Sequence, residues 1–213
     1  RGSMGFSPRK RANRPYGTIT AWPSTESESI RVQGFAGWKA GMTHVLLRDL
    51  NPSSTSAGQE VRKAVTVVET PPMKVLGVRG YIMDPYGLRT AGEVWCEPDD
   101  LPDGLTPRLA NATRGERDAS EGRKPSKRSG RIPNRGTGFN QAAFDSLSSS
   151  NLVEVRLIAA TQPKLVSGSP SKTSEIMELN LVGGTSTEKL EWAKERLGSE
   201  ITIEDVWEGG QEI

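Results

Sequence analysis

Two side chains hold most of the nucleophilic and metal-binding capacity of this 213-residue sequence: a single cysteine, Cys96, and a single histidine, His44. With one of each, an intrachain disulfide and a Cys/His zinc cluster are both impossible. A nucleophilic triad would have to recruit His44, and no G-x-S-x-G elbow presents a serine to it. One arrangement could hold an anion. Gly183-Gly184 lies between an apolar run and a helix start, where free amides favour phosphate. No Gly-Lys-Ser/Thr and no complete G-x-G-x-x-G accompanies it, so a phosphate-ligand or nucleotide-binding α/β enzyme using that turn is the alternative to a structural turn.

A different chemistry is carried by cations. Residues 1 to 14 contain Arg1, Arg9, Lys10, Arg11 and Arg14 and no acid, a local charge of +5. Residues 107 to 135 hold nine basic and three acidic side chains, +6, and since the whole chain is only +2 the remainder carries −9. Gly and Pro break any helix in the first segment, and its few apolar residues cannot offset the ordering of its backbone. It is expected to be an extended arm. Guanidinium groups pair phosphates and planar rings stack on unpaired bases, so this arm, with Phe6, Tyr16 and Trp22 nearby, has the composition of an RNA contact. A solvated tail is the alternative. The Gly/Ser/Pro/Arg-rich stretch 107–135 reads as a long surface loop, and its acids Glu116, Asp118 and Glu121 leave RNA contact and a plain mobile loop both open.

Leu, Ile, Val and Phe make up about a fifth of the chain, enough at low net charge for a core to form. Apolar runs such as Val75 to Val78 fall far short of the roughly 18 residues of a membrane span. No secretory signal is visible at the N-terminus, so the chain is expected to be intracellular. Gly34, Gly37 and Gly41 punctuate a turn, and Thr43 to Leu47 reads as a short strand. Lys63 to Glu69 and Met73 to Tyr81 read as two strands of a hairpin about Pro71-Pro72. Further strands are expected at Gly92 to Cys96, Leu152 to Ala160 and Ile176 to Val182, with a short helix at Asn140 to Leu147. The clearest helix is Ser186 to Leu197, with Thr185 and Glu188 at capping-box spacing and Gly198 as its stop. Ile201 to Trp207 closes the pattern.

These blocks resemble the archaeal and eukaryotic type of the universal large-subunit ribosomal protein L three family. The resemblance is carried by Gly2-Ser3-Met4-Gly5-Phe6 with Pro8-Arg9-Lys10-Arg11, by Gly34-Phe35-Ala36-Gly37-Trp38-Lys39-Ala40-Gly41-Met42-Thr43-His44, and by Val65 through Met73. Tyr86-Gly87-Leu88-Arg89-Thr90 and Gly183 through Ala193 look like further blocks. It implies a β plus α/β fold: a small translation-protein-type β-barrel, partial in this chain, with an α/β insertion and an extended basic N-terminal arm. By position, 1–32 would be an rRNA-binding arm, 33–83 the first half of the barrel, 84–198 the insertion with its basic loop at 107–135, and 199–213 a return strand toward the barrel.

The resemblance further implies a non-enzymatic structural constituent of the large ribosomal subunit, cytoplasmic and in the ribosome, with no cofactor and no membrane. Its partners would be large-subunit rRNA and neighbouring ribosomal proteins. The rRNA-binding residues implied are Phe6, Arg9, Lys10, Arg11, Arg14, Tyr16, Lys39, Thr43 and His44; for His44 a satisfied turn residue is the alternative. Family members continue past the position of Ile213 into more barrel strands and a basic finger. The chain is therefore expected to be a fragment or the product of a split gene, with a second polypeptide possibly completing the barrel and Gln211 to Ile213 entering a β-ladder.

Overall fold

The computed structural model describes residues 2–6, 16–17, 19, 21–23, 27, 29–97, 100–102, 105 and 138–210. Ten elements follow in chain order: β1 (Arg31–Gln33), β2 (Trp38–Arg48), β3 (Glu60–Glu69), β4 (Met73–Asp84), β5 (Gly87–Trp95), α1 (Gln141–Ser149), β6 (Glu154–Ala160), β7 (Ile176–Val182), α2 (Ser186–Glu195) and β8 (Glu200–Ile201). Arg9, Lys10, Arg11 and Arg14, the loop 107–135, and Gln211 to Ile213 lie outside the described residues.

β4 is the organising strand. Its run Met73, Val75, Leu76, Val78 is buried on both sides, as a central strand requires. It pairs antiparallel with β5 and β6, and β8 pairs with its first residues, Met73 with Ile201 and Lys74 with Glu200. The six-stranded sheet runs in the order β1-β7-β6-β4-β5, with β8 attached to β4. One face, bearing Val75, Val78, Val155, Leu157, Leu179 and Leu181, forms the main core beneath Phe144 and Leu147 of α1 and Leu190 and Ala193 of α2. Gly80 and Gly92, which face each other across β4 and β5, leave the space that Leu147 fills: a Cβ on either would stand 3.1 or 3.2 Å from its Cδ2. Lys194 of α2 reaches back over the rings of Phe144 and Phe139, 4.8 and 5.4 Å from their centroids, tying the two helices together.

The opposite face is split. One end is apolar, with Leu76, Trp95, Leu105, Ile158 and Ala160. The other carries a polar row across five strands in register: Glu93, Arg79, Arg156, Asn180 and Gln33. Arg79 lies between Glu93, at 2.5 Å, and Glu178; Arg156 bridges Glu154 at 2.7 Å and Glu178 at 3.4 Å, and stacks on Tyr81 at 4.3 Å from the ring centroid. Tyr81 donates to Glu178 at 2.7 Å. Burial, then the carboxylate that accepts its proton, push the Tyr81 hydroxyl up.

The hairpin expected about Pro71-Pro72 is not formed. β3 pairs with β2 in a separate two-stranded sheet, while β4 joins the larger one, so the chain passes from one sheet to the other at Thr70-Pro71-Pro72. Two consecutive prolines fix φ and supply no N–H, which suits an extended crossover better than a tight reversal. The pairing of β4 with β5, β6 and β8 also crosses the division expected at residues 83 and 84. The actual reversal is Asp84-Pro85-Tyr86-Gly87, which extends β5 back to Gly87. The return segment is brief, a two-residue strand followed by a 3-10 turn at Ile203–Asp205. β1 was not anticipated: Arg31 and Val32, placed in the arm by the sequence reading, pair with Val182 and Leu181 of β7.

Gly183 is the tightest position in this junction. Its φ is +84°, and a Cβ there would collide with the Ser29 carbonyl that leads into β1. Gly183→Ala is therefore expected to destabilise the fold by about 1 to 3 kcal/mol in denaturant unfolding, whereas Gly209→Ala, with open space around it, stays within about 0.5 kcal/mol. Equal midpoints for the two would contradict this packing.

Candidate nucleic-acid interface

β2 and β3 form a long antiparallel ribbon, Met42 opposite Thr66 through Arg48 opposite Glu60, with a bulge between Lys39 and Gly41. Because side chains alternate along each strand, this register sorts the ribbon into two faces. Lys39, Met42, His44, Leu46 and Arg48 share one with Glu60, Arg62, Ala64, Thr66 and Val68. Thr43, Val45 and Leu47 share the other with Val61, Lys63, Val65 and Val67. The first face is basic, three cations and a histidine against one acid. The second is mostly apolar, with Thr43 and Lys63 its polar members.

Neither face is fully covered among the described residues, although Leu47, Val61 and Val65 are half-buried. Met42 and Leu46 are 65% and 69% exposed, and Val45, Val67 and Val68 are exposed as well. A ribbon of two strands cannot bury both sides of itself, so it has the form of a surface that meets something else. On its basic face the Arg62 guanidinium donates from Nη2 to His44 Nδ1 at 3.1 Å, and Arg48 donates to the Gly58 carbonyl at 3.2 Å.

The connection between the strands is built rather than slack. Asp49 accepts from the Ser56 hydroxyl at 2.7 Å and from the Asn51 amide at 3.0 Å, while the Asp49 carbonyl takes the Gly58 amide at 2.8 Å. The hydroxyl of Ser54, then that of Ser56 and the Asn51 amide, hold the Asp49 carboxyl down at about 2.

Of the residues expected at RNA, Lys39 and His44 lie on the basic face and Thr43 on the apolar one. Phe6 is 94% exposed. Tyr16 is tied to the sheet, its hydroxyl donating to the Ile176 carbonyl at 2.8 Å. Trp22 likewise lies against Gly34, whose Cβ would come 3.4 Å from the indole ring. Arg62 and Arg48 were missed. Reading the Pro/Ser/Gly loop Asn51 to Gln59 as the turn of a hairpin would place them beside His44 by alternation.

The phosphate-cradle alternative meets an occupied site. Glu188 of α2 accepts from the Thr185 amide at 2.8 Å while the Thr185 hydroxyl accepts from the Glu188 amide at 3.3 Å, the capping box the spacing predicts. The Glu188 carboxylate also crowds Gly184, and Gly183 is pressed against Ser29. The helix start is filled by the chain's own anion, and the glycines serve to seat the strand entering β1. Cys96 is buried, and that burial pushes its thiol up to about 11, far from the reactive range. Among the described residues no group of three His, Cys, Asp or Glu side chains is placed to hold a metal, and no helix is long and apolar enough to cross a membrane.

The chain matches the family described as Ribosomal protein L3 over residues 1–213. Curated relatives named large ribosomal subunit protein uL3 include those of Archaeoglobus fulgidus, 41% identical over 210 residues, Methanopyrus kandleri, 38% over 212, and Methanothrix harundinacea, 37% over 215. These alignments cover 99%, 99% and 100% of this chain and 55%, 52% and 56% of the relatives. The chain thus spans about half the length of those proteins. The expectation of a second polypeptide gains no support, since each relative carries the matched stretch inside one longer chain.

A carboxyl held below its usual value stabilises the folded state above its unfolded value, near 3.8, and that contribution is lost as pH falls towards 2. Carbon-detected NMR titration should give Asp49 a midpoint near 2, rising towards 3.8 in Ser56→Ala and Ser54→Ala. An ordinary midpoint in the unaltered chain would show that the loop is not held in this way.

Proposed function

Since the chain belongs to the ribosomal protein L3 family, we propose that it is a structural, non-enzymatic constituent of the large ribosomal subunit that binds large-subunit rRNA and supports its folding, with neighbouring ribosomal proteins as further partners. Its place is then the ribosome, in the cytoplasm. The observation that carries this reading is the two-faced ribbon. A face with Lys39, Arg48, Arg62 and His44 suits a phosphate backbone, while a face of Val45, Leu47, Val61, Val65 and Val67 suits burial against protein.

The apolar face supports the finer reading of β2 and β3 as part of a small β-barrel, where alternate residues line the interior. The arm 1–32 then has two roles. Its proximal part, through Tyr16, Trp22, Arg31 and Val32, is sewn to the sheet. The distal part, with Phe6, Arg9, Lys10, Arg11 and Arg14, contacts rRNA. Of the implied site residues Lys39 and His44 are proposed to face RNA directly, and Thr43 to line the barrel side.

Each phosphate contact contributes about 0.7 to 0.9 to the slope of log affinity against log salt. Replacing Arg9, Lys10 and Arg11 by alanine should therefore weaken binding to deproteinised archaeal large-subunit rRNA and lower that slope by roughly 2 to 3. Lys189→Ala is the control; Lys194 is unsuitable because it packs on Phe139 and Phe144. Equal slopes would mean that the arm's cations are solvated, and failure of the unaltered chain to bind rRNA or to sediment with large subunits would sink the function itself.

A further inference from the structure

The contact between Arg62 and His44 fixes a proton. A guanidinium has only donors, so at 3.1 Å from Arg62 Nη2 the His44 Nδ1 must be the acceptor and carry no hydrogen. The neutral ring then bears its proton on Nε2. The two residues sit diagonally across the ribbon, His44 opposite Ala64 and Arg62 opposite Leu46, so the ring and the guanidinium occupy the same exposed face. A neutral N–H donor is thereby held beside a cation that makes no second hydrogen bond or ion pair among the described residues. The composition of the face argues for the ligand: Lys39 and Arg48 extend the positive strip on either side, with Glu60 its only acid.

We propose that Arg62 is a positioning residue that holds His44 as the Nε2–H tautomer, so that the pair reads two neighbouring oxygens of RNA, the guanidinium taking a phosphate and the imidazole an uncharged acceptor such as a ribose hydroxyl. The division follows from charge. The anion goes to the cation, and the neutral donor is left for an oxygen that bears no charge. This inference rests on the rRNA-binding reading and goes beyond it by naming the donor pair and the atoms it addresses.

Because His44 is the only histidine, the imidazole nitrogens of the 15N-labelled full chain give one assignable set of long-range NMR signals. At a pH where the ring is neutral, the unaltered chain should show Nε2 protonated and Nδ1 bare. Arg62→Ala should give a tautomer mixture, and Arg62→Glu, which offers an acceptor, should move the proton to Nδ1. An unchanged spectrum in both variants, or Nδ1–H in the unaltered chain, overturns the positioning role.

Binding to deproteinised archaeal large-subunit rRNA supplies the second arm. Loss of one net hydrogen bond is worth roughly 5-fold in affinity, so His44→Phe should weaken binding by about that factor, with His44→Gln, which retains a side-chain N–H, restoring part of it. The double variant Arg62→Ala/His44→Phe should lose less than the product of the single losses, because the two act as a unit. Fully multiplicative losses, or binding by His44→Phe equal to the unaltered chain, sink the inference while leaving rRNA binding intact. If the unaltered chain does not bind rRNA, the function fails and with it this use of the pair, whatever the tautomer.

Discussion

The larger sheet depends on one constraint: β4 must be hydrogen-bonded on both edges and covered on both faces. A strand reading Met-Lys-Val-Leu-Gly-Val-Arg-Gly-Tyr-Ile cannot sit at an edge, since its buried apolar residues fall on both sides. It therefore recruits β5 and β6, and where β5 ends, β8 takes over the same edge. Gly77 and Gly80 permit this crowding. A Cβ at Gly77 would lie 2.5 Å from the Val94 carbonyl, and one at Gly80 would press on Leu152 and Leu147. The two helices follow, because both bury their apolar stripes on the one face that β4 and β6 make continuous.

The polar row on the opposite face obeys the same geometry with a different chemistry. Arg79 and Arg156 are register partners on adjacent strands, a pairing of like charges that would repel if left alone. Glu93, Glu154 and Glu178 are interleaved around them, and Tyr81 lies flat beneath Arg156. Three carboxylates thus enclose the two guanidiniums. That contrasts with the basic face of the ribbon, where three cations and His44 meet one acid.

Much of this is legible in the sequence. The helix start at Ser186 and its capping box are local signals, though the helix ends at Glu195, two residues short of the expected Leu197, with Arg196 as its cap; Ile176–Val182 has the bounds expected. The short helix was right in place because Asn140 caps it through a contact three residues away. Pairing was harder. Whether Pro71-Pro72 turns a hairpin or crosses between sheets depends on which strands lie next to β4, and that is decided by residues up to 130 positions later. β1 left no local trace, since three residues of ordinary polarity become a strand only because β7 offers an edge. At the interface, the family resemblance pointed to Lys39, Thr43 and His44 but not to their facing. Alternation puts Thr43 on the other side, and Arg62, on the facing strand, is close to His44 only once the register is known.

The union of β1 with β7 has a consequence for how the chain is made. Arg31 meets Val182, and Tyr16 meets Ile176, across some 150 to 160 positions of sequence. At roughly 5 to 20 residues per second, the first strand leaves the ribosome's exit tunnel about 8 to 30 seconds before its partner. During that interval Arg31–Gln33 have no edge to pair with, although β2 and β3 are already made and can form their own ribbon. The Tyr16 contact and the β1–β7 ladder therefore close only after residue 182 has been made, among the last pairings of the larger sheet to form.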